Sequence, residues 1–387
     1  MNNLLIKNGN ALIGDKIVKT DILVKDGIIV DVNFKGDLPE ACKIMDAEGK
    51  YVSPGFIDLH VHGGGGYDFM DCTEEAFENI SRTHLYNGAT TILPTAVSSE
   101  FSSIVKLIKT YKEAIDKCPN FYGIHLEGPY ISKNQKGAHK EHLLHAPNDE
   151  ETKALLAEGK GVIKRITAAP ELENMEAFAK LMIKNGVQMS VGHTDATSDE
   201  TLKAFEYGFS HVTHLYSATP TVRKINQVVK AGVIEAAYLN DDISVELIAD
   251  AKHAAVDALR LAVKFKGVDK VALVTDALRP AGTDVTESWL GEKVPENRVI
   301  IEDGVAKLPD RSSFAGSIAT TADLLKNGVK HYGFSVVDTV RMISETPANI
   351  LGLKNKGKLE NNYIADIVIF DNELEICNVI LSGAIVR

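Results

Sequence analysis

Pro54–Asp71 reads PGFIDLHVHGGGGYDFMD. An apolar run closes on His60 and His62, and four glycines, Gly63–Gly66, follow. Residues two apart on a strand share a face, so the two imidazoles point the same way. The run is short and almost continuously apolar, as in a parallel strand buried on both faces. Seven further runs are built alike: ATTILPTAV (89–97), FYGIHLEGP (121–129), VIKRITAAP (162–170), VQMSVGHTDA (187–196), FSHVTHLYSA (209–218), SVELIADAKH (244–253) and KVALVTDA (270–277).

Amphipathic segments lie between them, among them TEEAFENISRTHLYNG (73–88), EFSSIVKLIKTYKEAI (100–115), LENMEAFAKLMIKNG (172–186) and SDETLKAFEYG (198–208). Several open on Ser or Thr and close on Asn-Gly or Tyr-Gly, the preferred helix caps. Eight strand-then-helix units predict an α/β fold, a (β/α)8 TIM-type barrel. A doubly wound open sheet is the weaker reading, because no GxGxxG follows the first strand. The chain ends read differently. LLIKNGNALI and KIVKTDILVKDGIIVDV at the start, and ADIVIFDNELEICNVILSGAIVR at the end, are β-rich runs broken by Asn-Gly and Asp-Gly. They predict one small β domain built from both termini.

Composition narrows the function. The chain has 387 residues, 44% hydrophobic and 25% charged, with a net charge of −11. That charge argues against nucleic-acid binding, which needs a basic surface. No apolar run is long enough for a membrane span, and the N-terminus lacks a secretory signal pattern. Cys42, Cys72, Cys118 and Cys377 are widely spaced, which reads as reduced thiols in a cytoplasmic protein.

Catalytic residues of such barrels sit at the C-terminal ends of the strands. Here those ends carry His60 and His62; His125 and Glu127; His193 and Asp195; His211 and His214; Asp250 and His253; and Asp276. One such histidine is more often a hydrogen-bonded core residue than a ligand. Six strand ends aimed at one point are another matter, because burying these groups without a cation or ligand is costly. Imidazole and carboxylate donors suit zinc, iron, nickel, manganese or cobalt. Of His211 and His214, three apart, the second is expected to face the site and the first to be structural. The glycines are expected to form a flexible loop beside the metal; without a GKS/T element they are no P-loop.

The motifs PGFIDLHVHG, GIHLEGPY with KGAH, SVGHTDA, THLYSA, IADAKH, LVTDA and FAGS, in this order over residues 54–317, resemble those of the N-acetylglucosamine-6-phosphate deacetylases of the amidohydrolase superfamily. The resemblance implies that the terminal domain is a small β-sandwich (1–53 plus 351–387) beside a catalytic barrel (54–350). It implies a principal divalent metal, zinc foremost, on Glu127, His193 and His214. His60 and His62 would hold a second ion beside Glu127, giving one or two ions per subunit. Asp276 would be the general base, placed to take a proton from water that a metal has acidified and to return it to the departing amine. His139, Ser217, Ala218, Arg223 and His253 would contact a phosphosugar substrate, Arg223 from the neighbouring subunit of a homodimer. The chain departs from the family pattern at Ser217 (usually Asn), Ala251 (usually Gly) and after His253. All three lie near the expected substrate groups and leave room for N-acetylgalactosamine 6-phosphate or another N-acylated amino sugar. A catalytically weak metal-binding barrel is the remaining alternative.

Overall fold

The eight expected barrel strands form in chain order: Phe56–Val61, Ala89–Ala96, Ile124–Glu127, Ile163–Ala168, Gln188–Val191, His211–Val212, Ser244–Ile248 and Val271–Val274. Each pairs in parallel with the next. The ring is completed where Val61 bridges Ala277 and the Asp276 N–H donates to the His60 carbonyl at 3.0 Å. This computed structural model describes residues 3–387, so Met1 and Asn2 of the expected 1–53 segment lie outside the described residues.

Helices follow the strands where the caps place them. Thr73 accepts from the Ala76 N–H to start Glu74–Tyr86, and Thr197 with Glu200 forms a capping box on Ser198–Glu206. Gly88 (φ +95°) and Gly186 (φ +81°) follow the C-caps of two helices in the left-handed conformation that glycine tolerates best. The TIM-type barrel is therefore borne out.

So is the β domain from both chain ends. Strands Ile376–Leu381, Ile367–Phe370, Tyr51–Pro54, Asn3–Ile13, Lys16–Lys25 and Ile28–Asp31 lie side by side in one sheet. Leu4, Ile22, Ile29, Val52, Ile367 and Ile380, drawn from distant strands of that sheet, pack into a single apolar cluster of their own. The sheet is thus curled: Ile28 bridges Ile364, and Gly27 packs so tightly on Gly383 and Ser382 that a side chain on it would strike the Ser382 carbonyl at 2.8 Å.

A further sheet lies outside the eight-unit pattern. After the eighth strand, Glu287–Trp289, Arg298–Glu302, Val305–Lys307 and Phe314–Gly316 pair as a four-stranded sheet. Its local signal is Asp303-Gly304, with φ of +56° and +77°, between two β-rich runs.

The glycine stretch is a closed hairpin rather than a loose loop. Gly63–Gly64 pairs with Tyr67–Asp68. Gly65 and Gly66 donate to the carbonyls of Ala281 and Arg279 at 2.8 and 2.9 Å. His84, wholly buried, bonds the Gly63 carbonyl through Nε2 at 2.9 Å. Close approach requires the small residue here, since a Cβ on Gly64 would lie 2.8 Å from that same Nε2.

Burial lowers the His84 pKa to about 4. A histidine lowered in the folded state is protonated first in the unfolded one. Its contribution is complete above about pH 6.5 and is lost as pH falls towards 4, a change on the order of 3 kcal/mol. Thermal melts at pH 7.5 and pH 4.5 should show a smaller acid-induced drop in Tm for His84→Gln than for the wild type. Equal drops overturn this assignment.

Candidate active site

Three residues reach the barrel mouth by leaving the extended conformation. His193 (φ +47°), His214 (φ +27°) and Asp276 (φ +50°) are all left-handed, a strain concentrated where the strands end. His60 and Glu127 arrive from strands, His62 from the residue just after the first, and His139 from the loop after the third. Every one of these residues is buried.

Glu127 is the meeting point. Its Oε1 lies 2.9 Å from His214 Nε2, 3.1 Å from His193 Nε2 and 3.5 Å from His60 Nε2. Its Oε2 lies 3.2 Å from His62 Nε2 and 3.4 Å from His139 Nε2. Asp276 Oδ1 faces His62 and His60 at 3.3 and 3.5 Å. Two groups of metal-ligating atoms share Glu127: one with His60 and His62, the other with His139 and His193. His139 therefore stands within reach of an ion as well as of a substrate.

The donor set fits a divalent ion. Four of the five imidazoles have Nδ1 occupied from behind: His60 by Glu246 (2.8 Å), His139 by Ser98 Oγ (2.7 Å), His193 by the Gln135 carbonyl (2.8 Å) and His214 by the Ser217 carbonyl (3.1 Å). Such partners orient metal-binding histidines and leave Nε2 free to coordinate. His62 is the exception, its Nδ1 buried without a hydrogen-bond partner.

The electrostatics agree. Burial works against charge on Glu127 and Asp276, yet the imidazoles facing them outweigh it and hold Glu127 well below, and Asp276 below, the usual carboxylate range. In return, burial opposes charge on His62, but its hydrogen bonds to Asp276 and Glu127 raise its pKa to about 9. His60 is likewise raised, chiefly by Glu127 and Asp276 against burial. The site calls for positive charge. His139 behaves oppositely: burial lowers it to about 4, so it is a neutral imidazole.

A cavity of about 220 Å³ opens on this cluster, lined by Glu127, His139, His193, His214, His253 and Asp276 among others. Ser217 and Ala218 form part of its wall, and Leu290 and Phe314 of the four-stranded insert close another side. No lysine or arginine among the described residues lines it. His253 is aimed by Asp250, whose Oδ2 lies 2.7 Å from its Nδ1, and it meets the Phe314 ring edge-on at 5.0 Å. Ala251 sits at φ +62°, a position that favours the glycine usual in the family pattern.

Arg223 is apart from the cavity. It lies in the outlying hairpin Arg223–Ile225 and Val228–Lys230, and its Nη1 bonds Asp195 Oδ1 at 2.7 Å. His211 faces the barrel interior below the site and bonds Ser244 and Glu246. The sixth strand ends at Val212, which lets both His211 and His214 turn inward despite their spacing. Sequence reasoning missed Arg165 and Glu246, both fully buried beneath the cluster, and Arg279 beside it. For Arg165 and Glu246 the signal was a charged residue inside a buried strand, whereas Arg279 lies in the turn after the eighth strand.

Imidazoles and carboxylates converging on the C-terminal mouth of a parallel barrel define the metal-dependent hydrolase class of this fold. Residues 51–386 match the amidohydrolase family. An N-acetylglucosamine-6-phosphate deacetylase of Lysinibacillus sphaericus is 32% identical, covering 94% of this chain and 92% of that one. An N-acetylgalactosamine-6-phosphate deacetylase of Shewanella is 29% identical over 98% and 95%. A mutant N-acetyl-D-glucosamine-6-phosphate deacetylase of Mycobacterium smegmatis, solved in complex with N-acetyl-D-glucosamine-6-phosphate, superposes with a TM-score of 0.91 at 27% identity, covering 100% of this chain and 99% of that one. The chain belongs to the amidohydrolase family and, within it, to the N-acetylglucosamine-6-phosphate deacetylases.

Asp276→Asn keeps the shape of a side chain that no ligand set here requires. It should leave bound metal unchanged while lowering kcat by about 10²–10⁴-fold. Glu127→Gln should instead lower metal content itself. Elemental analysis beside steady-state kinetics separates the two, and metal loss in the Asp276 variant would reverse the assignments.

Proposed function

We propose that this chain is a metal-dependent hydrolase that converts N-acetylglucosamine 6-phosphate to glucosamine 6-phosphate and acetate. The observation that carries this reading is Asp276: a buried carboxylate, kept ionised by its imidazole neighbours, opening onto the same cavity as Glu127. The names and coverage of the relatives support it. Glu127, His193 and His214 are read as the holders of the principal ion, with His60 and His62 holding a second beside Glu127. Zinc comes first among the candidates, with iron, nickel, manganese and cobalt after it. A divalent ion here supplies acidification of water and charge stabilisation at the amide oxygen.

The chain's own residues do the rest. Asp276 takes the proton of the attacking water at Oδ1 and passes it to the amide nitrogen as the C–N bond breaks. His139, neutral and fixed at Nδ1 by Ser98, turns Nε2 towards the cavity and hydrogen-bonds the acetamide oxygen. His253, oriented by Asp250, together with Ser217 and Ala218, contacts the sugar phosphate. Because no lysine or arginine among the described residues lines the cavity, the phosphate is best served by Arg223 from a second subunit of a homodimer, after release from Asp195. The division into a terminal β domain (1–53 plus 351–387) and a barrel (54–350) belongs to the same reading. So does a cytoplasmic setting, supported by four unpaired cysteines.

A second reading, N-acetylgalactosamine 6-phosphate as substrate, is favoured by the departures at Ser217 and Ala251 and by the Shewanella relative. Metal-free protein should be inactive, with turnover restored by a divalent ion; activity that survives complete chelation overturns the mechanism. In a substrate panel, N-acetylglucosamine 6-phosphate should have the highest kcat/KM, with the unphosphorylated sugar lower by on the order of 10²-fold or more. Preference for the galacto epimer selects the second reading. Equal cleavage of the unphosphorylated sugar sinks the phosphate assignment.

A further inference from the structure

Below the ligand cluster lies a charged network with no part in the mechanism above. Glu246 stands in the middle of the seventh strand, Ser244–Ile248, with no exposed surface. Arg165, on the fourth strand, is as fully buried. An ion pair at such depth is weak as a source of stability, because desolvation consumes most of the attraction and apolar residues of similar volume often do as well. Arg165 Nη2 even lacks a hydrogen-bond partner, which adds to the cost. The pair therefore calls for another explanation.

The contacts of Glu246 supply one. Its Oε2 is held by Arg165 Nη1 at 2.6 Å and by His211 Nε2 at 3.2 Å. Its Oε1 lies 2.8 Å from His60 Nδ1 and accepts the His214 backbone N–H at 3.3 Å. An ionised carboxylate only accepts, so each of the four groups facing it must donate. His60 Nδ1 then keeps its proton on Glu246, and Nε2, which faces Glu127, His62 and Asp276, is the nitrogen left to coordinate an ion. That is the tautomer a metal ligand requires. His62, the other histidine of this half-site, has nothing behind it.

We propose that Glu246, locked by Arg165 and His211, is a positioning residue that fixes His60 as the anchoring ligand of the second metal ion, leaving His62 as the loosely held one. This rests on the reading of His60 and His62 as a second ion site. The His214 bond is longer and reaches only backbone, so the principal ion depends on Glu246 less.

The test is metal titration of purified full-length protein, with zinc competed by a chelator and metal content read by elemental analysis. Cobalt substitution gives an absorption signature of each site. Glu246→Gln keeps the volume but offers one acceptor oxygen where four donors converge. Expected is a first ion bound nearly as in the wild type and a second bound about 10–100-fold more weakly, with His60→Ala losing the second ion in the same way. If Glu246→Gln does not fold, Arg165→Met combined with Glu246→Gln removes the uncompensated buried cation, and the same loss of second-ion affinity is expected. A variant with lowered Tm but both ions bound at wild-type affinity makes Glu246 merely structural and overturns the inference alone. A wild type that binds one ion, with content unaffected by His60→Ala, overturns the two-ion reading and the inference with it. The deacetylase assay then still stands on its own.

Discussion

The negative charge on Glu127, almost fully buried, is the constraint around which the barrel mouth is arranged. A lone carboxylate at that depth would take up a proton rather than remain ionised. It stays charged because five imidazoles present Nε2 to it, four of them held from behind by a hydrogen-bond acceptor or hydroxyl. A divalent ion satisfies the same demand for positive charge with fewer protons. The sharing of Glu127 between two groups of ligating atoms lets one carboxylate serve both halves of the site.

The cost of this arrangement extends down the barrel. TIM-type interiors are commonly filled with branched apolar side chains. Here the layer below the mouth is polar: His125 bonds Thr167 at 2.7 Å, Thr167 bonds Thr213 at 2.7 Å, and Thr213 bonds Ser190 at 2.6 Å. Asp58 is satisfied by the Thr275 hydroxyl at 2.6 Å, and its burial still raises its pKa to about 7. Apolar burial is moved outward instead, to the strand–helix interface and to the separate cluster of the terminal β domain. A barrel that keeps its axis polar needs that outer packing for its stability, which accounts for helices whose apolar faces are wholly covered, such as Phe77 and Ile80 or Leu107 and Ile108.

The sequence made the barrel legible because parallel strands are buried on both faces, and each reads as an apolar run with its chemistry collected at one end. That rule located Glu127, His193, His214 and Asp276, and the period of two paired His60 with His62. It fails for residues inside a strand. In SVELIADAKH the eye goes to Asp250 at the end, whereas Glu246 in the middle carries four contacts. Arg165 is hidden in the same way, since its partner lies 81 residues along the chain. The insert escaped because its strands are short and break the eight-unit rhythm, although Asp303-Gly304 marks its hairpin. Arg223 shows the opposite failure: a loop arginine is visible in sequence, but its tie to Asp195 is a property of the fold.

The insert bears on how binding and chemistry are joined. Arg279 follows Asp276 by three residues and is buried, with its guanidinium gripping both oxygens of Asp71 at 2.6 and 2.8 Å and the Gly291 carbonyl at 2.7 Å. Asp71 in turn closes the turn behind the glycine hairpin, and Asp68 takes the Gly291 N–H at 2.9 Å. Gly291 adjoins Leu290, part of the cavity wall. One short segment after the eighth strand thus joins three things: it carries Asp276, and it ties the hairpin beyond His62 to the edge of the insert that faces the cavity. A wall carried on a separate mobile loop could shift relative to Asp276. Here the wall and Asp276 are carried on one segment pinned by a buried guanidinium, so, on the function proposed above, a bound sugar is referred to the same frame as that carboxylate. In acid–base catalysis displacements of about 1 Å are costly, and this common anchor is the feature of the fold that limits them.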